Sequence, residues 1–185
     1  MKSGYRLLSE EDMKDSPSSS NLSPTKRIWK GIWSLKTPNK VKTLLWRAGT
    51  DSLPSKASLL KRKVVCNDLC SECKLESESS FHALWVCCVV AQVWEQKFAW
   101  LCKLLGKCNS FLDVIQLYQD HSDLLNLFAM IASLLWTRRN QRRVVEQALE
   151  LKMINSMASD KLLEFFSFFR AGFAGICSFR LASSA

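Results

Sequence analysis

Four side chains stand out by type and spacing: Cys70, Cys73, His82 and Cys87, arranged Cys-x2-Cys-x8-His-x4-Cys. A zinc ion takes four soft or borderline ligands in a tetrahedron, and a Cys-x2-Cys knuckle delivers two of them from one tight turn. The intervening KLESESSF leaves enough chain to close the site, and His82 and Cys87 then fall about one turn apart at the start of a following helix. With every position taken by protein, no place remains for water, so the ion would be structural rather than catalytic. Binding worth roughly 10–16 kcal/mol in apparent terms would supply much of the folding energy of a small domain. The plainer reading is a set of free, partly buried thiols beside a surface histidine, since eight Cys raise the chance of an accidental Cys-x2-Cys. Cys66 and Cys88 are the competing ligands, with Cys88 facing a different way from its neighbour Cys87. Cys102, Cys108 and Cys177 read as core or tail thiols. No strand–helix context surrounds the knuckle, which argues against a redox pair.

Little else in the chain suggests chemistry. Of two histidines, His121 lies in YQDHSDLL near Asp120 and Asp123 and reads as a surface or capping residue. No Ser/His/Asp order and no paired-carboxylate motif is present, and six Gly leave little room for a phosphate-cradling loop. The expectation is a chain that is not an enzyme and takes no small-molecule substrate.

Charge points to a different partner. The formal charge is +9, but Lys26 to Lys63 holds eleven basic residues against one acid, Asp51, so this segment alone is +10 and the remainder about −1. Such local basicity suits RNA or DNA, bound through phosphates with weak sequence selectivity. Lys40, Lys42, Arg47, Lys61, Arg62 and Lys63 are the candidate contacts, with Trp29, Trp33 and Trp46 interleaved as bases' stacking partners. A solvated charged face and tryptophans buried in the core form the competing reading.

The elements that must position these groups read as helices. In TPNKVKTLLWRAGTD, Thr37 offers an N-cap, Pro38 a first helical residue and Gly49 a stop, with Val41, Leu44, Leu45 and Ala48 as the apolar stripe. Pro54 opens a second helix in which Leu59 and Leu60 should bury, and Lys61 to Lys63 close it where cations suit the dipole. Residues 64–83 form a polar loop, Leu84 to about Leu105 a helix with Val89, Val93 and Trp94 on one face, and Asp123 to Leu151 a third long helix carrying WTRRNQRR. Strand alternation is lacking. The fold class is mostly α, a small helical domain with the Cys-Cys-His-Cys loop between helices.

The organisation divides into 1–25, an upstream fragment plus a mobile Ser/Pro-rich loop; 26–105, the metal-binding domain; 106–155, a helical region; and 156–185, an atypical apolar tail. MKSGYRLLSEEDMKD lacks the apolar core of an export signal, so reduced thiols and a soluble intracellular protein are expected. Leu124 to Trp136 is too short to span a bilayer, and Glu164, Arg170 and Arg180 interrupt the tail.

The stretch KRIWKGIWSLKTPNKVKTLLWRAGTDSLPSKASLLKRKVVCNDLCSECKLESESSFHALWVCCVVAQVW resembles the zinc-binding domain that follows the reverse transcriptase in plant LINE-type (non-LTR) retrotransposons. IWSLKTPNKVKTLLWR, LPSKASLLKR and CSECKLESESSFHALWVCCVVAQVW match its three segments, while KSGYRLL and LLWTRRNQRR are similar to flanking ones. The resemblance places the four zinc ligands on Cys70, Cys73, His82 and Cys87, and implies an RNA- or DNA-binding module beside a reverse transcriptase. Leu44 stands where the family has an aromatic, and Cys88 where it has a small residue or proline. No YADD-like polymerase segment or RNase H carboxylates accompany the domain, and the tail from Lys161 matches nothing in the family. A fragment or relic of a larger polyprotein is expected; nuclear action would suit it, although KRK at 61–63 is too short to serve as a targeting signal. A purely structural or protein-interaction module is the alternative.

Overall fold

The computed structural model describes residues 24–102, 108–117, 122–144 and 147–181. The elements are α1 (Pro24–Ser34), α2 (Asn39–Gly49), α3 (Lys56–Lys61), a π-helical turn (His82–Val86), α4 (Cys88–Cys102), α5 (Phe111–Leu117), α6 (Ser122–Val144), a 3-10 turn (Leu151–Met153) and α7 (Ile154–Leu181). The described residues contain no strand, only an isolated antiparallel bridge between Leu69 and Ser77. The mostly helical class stands.

Helices α1 and α2 form an antiparallel hairpin. Ile28, Ile32 and Leu35 turn inward from the first, Val41, Leu45 and Ala48 from the second. Near one end the Trp29 ring lies 3.2 Å from where a Cβ on Gly49 would sit, with Leu112 equally close, so only glycine fits without a shift. Near the other, the Lys42 ammonium donates to the Trp33 carbonyl at 3.1 Å.

The centre of the core is aromatic. Trp85, Trp94, Phe98, Phe111 and Phe128 are fully buried, with Trp94 stacked 4.9 Å from Phe128 and tilted 4.9 Å from Trp85. Such packing adds about 0.5–1.5 kcal/mol per pair beyond area burial. Trp94 also satisfies its indole N–H on the Leu84 carbonyl at 2.9 Å. Helix α6 passes through the middle and is buried on several sides: Leu125, Phe128, Ala129, Ile131, Ala132 and Leu135 all face packed neighbours.

Several sequence expectations need correction. Thr37 does not cap α2. Pro38 occupies the cap position, its carbonyl accepting from Val41 N–H at 2.9 Å, while the Thr37 hydroxyl is buried without a partner. In α3 the cap is Ser55, which accepts from Ser58 N–H; Leu60 is exposed and no residue of this helix is fully buried, because it lies on the surface beside the loop. Inward residues of α4 are Val90, Val93 and Trp94, Val89 being half-buried. Helix α6 stops at Val144, short of Leu151, and α5 is a separate short helix within the helical region expected over 106–155.

The tail is no loose appendage where it is described. Helix α7 runs across the expected 155/156 boundary, burying Ile154, Ala158 and Leu162 against α6 and α4. Asn155 donates its side-chain amide to the Val93 carbonyl at 2.9 Å and to Gln96 at 2.7 Å, tying it to α4. Residues 1–23, His121, the end of the helix expected to reach Leu105, and the side chains of Trp100, Cys102 and Cys177 lie outside the described residues. No helix among the described residues is long and apolar enough to cross a membrane.

Candidate metal centre

The loop from Val64 to Ser79 has few apolar side chains to hold it, and a lattice of backbone bonds shapes it instead. The Cys70 N–H donates to the Glu76 carbonyl at 2.8 Å, Lys74 N–H to the Cys70 carbonyl at 3.0 Å, and Glu78 N–H to the Asp68 carbonyl at 2.7 Å. These bonds fold CSECK into a knuckle whose last residue, Lys74, takes the left-handed conformation at φ 58°. For a non-glycine residue that geometry costs about 1–2 kcal/mol.

His82 and Cys87 arrive differently. The Ser79 hydroxyl accepts the His82 N–H at 3.0 Å, starting a helical turn. That turn is a π turn: the Cys87 N–H reaches back to the His82 carbonyl at 3.0 Å, and Cys87 sits at the break before α4. The His-x4-Cys spacing is therefore spanned by a single wide turn, not by one turn of α-helix as the sequence suggested. Single-turn π bulges are rare and recur at functional sites.

Together these elements bring Sγ of Cys70, Cys73 and Cys87 and a ring nitrogen of His82 within 4.8 Å of one another. Cys70 and Cys87 sulfurs are 3.9 Å apart, and Cys73 Sγ is 3.4 Å from His82 Nε2. Ligands at about 2.3 Å for sulfur and about 2.0 Å for nitrogen on a tetrahedron stand about 3.8 Å (S to S) and about 3.5 Å (S to N) apart. These two separations match those edges and the remaining pairs stay within 4.8 Å, so the four residues could hold one metal ion. Cys66 and Cys88, the competing ligands, are both exposed and outside the cluster.

Glu76 completes the arrangement. Its carboxylate lies 3.1 Å from His82 Nδ1, which leaves Nε2 facing the sulfurs. A carboxylate on the far nitrogen fixes the tautomer and ring orientation of a metal-binding histidine. Sequence reading overlooked Glu76, although an acid six residues before the histidine was its signal.

Protons divide unequally in the bare cluster. A hydrogen bond from the Cys87 thiol holds Cys70 far below the ordinary thiol range, outweighing desolvation, and His82 and backbone N–H groups add to the effect. Cys87 is pushed up by that same bond and by burial. Burial works against Cys73, yet the backbone N–H groups of Leu75 and Glu76 bring it down. His82 rises to about 9 through its hydrogen bond to Cys70, against desolvation. Cys70 and Cys73 are thus biased toward thiolate, while Cys87 and His82 hold protons that a metal ion would displace on binding.

Behind the cluster lie two buried ion pairs, with the more exposed Arg142 as a further partner of Glu72 at 3.5 Å. Glu78 is 1% exposed and accepts from Arg139 through both Nε and Nη2, and from Lys56 N–H at 3.1 Å. Glu72, inside the knuckle itself, pairs with buried Arg138, whose Nε also donates to the Leu149 carbonyl at 2.6 Å. The Arg139 guanidinium further sits 4.6 Å over the Trp136 ring. These pairs fasten the metal loop to α6. Charged residues amid the apolar run FAMIASLLWTRRN were their only sign in the sequence.

The basic candidates fall in two places. Lys40 and Arg47 are exposed on α2 and Lys42 half-buried beside them; Lys61, Arg62 and Lys63 are exposed at the end of α3. Trp33 and Trp46 are exposed too, and Trp29 packs partly into the core.

Residues 1–94 match a family model described as zinc-binding in reverse transcriptase. No curated protein and no solved structure matches the chain.

Proposed function

Because the chain belongs to the family of zinc-binding domains in reverse transcriptase, we propose that it is a zinc-stabilised, non-catalytic module that holds RNA or DNA through its basic segment. The observation that carries this is a division of labour: four ligand atoms within 4.8 Å close a site with no protein ligand missing, while Lys40 and Arg47 of α2 and Lys61, Arg62 and Lys63 at the α3 end face solvent. A closed Cys3His site has no position for an activated water, so the ion's work is to fold the loop. Zinc is the metal that this donor set favours, since thiolate and imidazole in a tetrahedron select it over harder ions.

Phosphate neutralisation by Lys and Arg accounts for the rest of the reading. Its parent would be a LINE-type element of a plant, as the flanking tryptophans and segment order suggest, and its neighbour a reverse transcriptase. The test is titration of zinc-loaded protein with single- and double-stranded oligonucleotides at rising salt. Affinity should fall steeply, with a log–log slope set by the number of phosphates contacted. Flat salt dependence, or no binding at low salt, would refute the nucleic-acid role. Metal analysis giving no zinc in the folded protein would refute the other half.

A further inference from the structure

The α1–α2 hairpin presents two indoles that the core does not need. Trp33 is 49% exposed and Trp46 40% exposed, whereas Trp85, Trp94 and Trp136 are buried. Leaving two large aromatics in water on a surface with ample buried apolar area elsewhere wastes their burial energy, about 1.5–3 kcal/mol for a side chain of this kind. The chain that carries them is rich in cations. From Pro24 to Thr50 the chain has seven basic residues and no acid. Lys26, Arg27 and Lys30 are exposed on α1, Lys40 and Arg47 on α2.

The geometry of the hairpin groups them. Trp29 against Gly49 and the Lys42 ammonium on the Trp33 carbonyl fix the two helices antiparallel. Lys30 and Trp33 are one turn apart on α1, Lys42 and Trp46 one turn apart on α2, so each helix pairs a cation with an indole about 5–6 Å away between Cβ atoms. This alternation is what an unpaired strand needs: cations along the phosphates and flat rings on which successive bases stack. A duplex cannot use the rings, because its bases already stack on each other and offer only edges in the grooves.

We propose that the α1–α2 hairpin is a single-strand platform, with Trp33 and Trp46 stacking on unpaired bases and Lys30, Lys40, Lys42 and Arg47 on the flanking phosphates. The proposal rests on the nucleic-acid reading above and narrows it to one form of substrate. Lys61, Arg62 and Lys63 have no exposed indole on α3 and contribute charge alone.

The experiment compares a short single-stranded homopolymer with a duplex of the same length, using zinc-loaded full-length protein and its variants. Trp33→Ala and Trp46→Ala should each weaken single-strand binding by about tenfold. Duplex binding, zinc content and helicity should stay as in the parent protein. Trp33→Phe and Trp46→Phe should keep most of the affinity, since a phenyl ring still stacks. Should both alanine variants bind the single strand as tightly as the parent while Lys40→Ala and Arg47→Ala weaken both ligands, the platform is overturned and phosphate binding survives. Absence of binding to either oligonucleotide overturns both proposals. Binding to anionic vesicles in place of oligonucleotides would overturn the platform in favour of a membrane-surface role.

Discussion

Two strongly basic stretches of the chain meet opposite surroundings. In WTRRNQRR the first two arginines are buried, each closing an ion pair with a glutamate of the metal loop. Between Lys26 and Lys63 the basic side chains lie mostly at the surface, and among the described residues none of Lys40, Lys42, Arg47, Lys61, Arg62 or Lys63 enters an ion pair. The difference comes from what each charge meets. Glu72 and Glu78 are brought to α6 by the knuckle and by the π turn that follows it, whereas among the described residues no acid forms an ion pair with a basic side chain of the α1–α2 hairpin. Net charge alone would have assigned both stretches to a polyanion. Only burial separates an internal fastener from a charge left in solvent.

The comparison is broken most severely at the metal. Cys73→Ser and His82→Ala should each abolish zinc binding and unfold the loop, losing a large part of roughly 10 kcal/mol of apparent metal-linked stability. Metal analysis alongside far-ultraviolet circular dichroism reads the result. Retained zinc in both variants would contradict the ligand assignment.

Next in size is the buried fastener. Arg139→Ala leaves the Glu78 carboxylate inside without its counter-ion, which should cost about 3–5 kcal/mol in denaturant unfolding. The Glu78→Gln/Arg139→Met pair removes both charges and should recover much of that loss; a double variant as damaged as the single would mean that packing, not charge, holds the contact. Smaller again is Glu76→Gln, expected to weaken zinc by about 10- to 100-fold in competition with a chelator while the folded holo state persists.

The exposed stretch should hardly register in stability. Lys40→Ala and Arg47→Ala should each shift unfolding by no more than about 0.5 kcal/mol, yet each lost phosphate contact should lower the salt slope of oligonucleotide binding by about 1. A stability loss from this set as large as that from Arg139→Ala would erase the distinction drawn above.

How much was legible follows the range of each interaction. The four clustered residues could be read because they lie close in the chain, Cys70 and Cys87 being only 17 residues apart. Glu78 and Arg139 could not be joined, being 61 residues apart with no local pattern to link them. Thr37 misled because a good capping residue was followed by a proline that took the cap itself. The apolar tail was judged by composition, although Ile154, Ala158 and Leu162 repeat every fourth position, the period of a buried helical stripe. The exposed tryptophans were the reverse case. Their spacing allowed either core or surface, and only the packed structure decided between them.

The π turn at His82–Val86 ties together two matters that a sequence treats separately. It sets the distance between two of the clustered residues, and it also sets the rotational phase at which α4 begins. One residue fewer would turn that helix by about 100°, swinging Trp94 away from Phe128 while shortening the reach of Cys87. Coordination geometry and aromatic packing are thereby locked to one gear, and neither can be retuned by insertion or deletion without stripping the other.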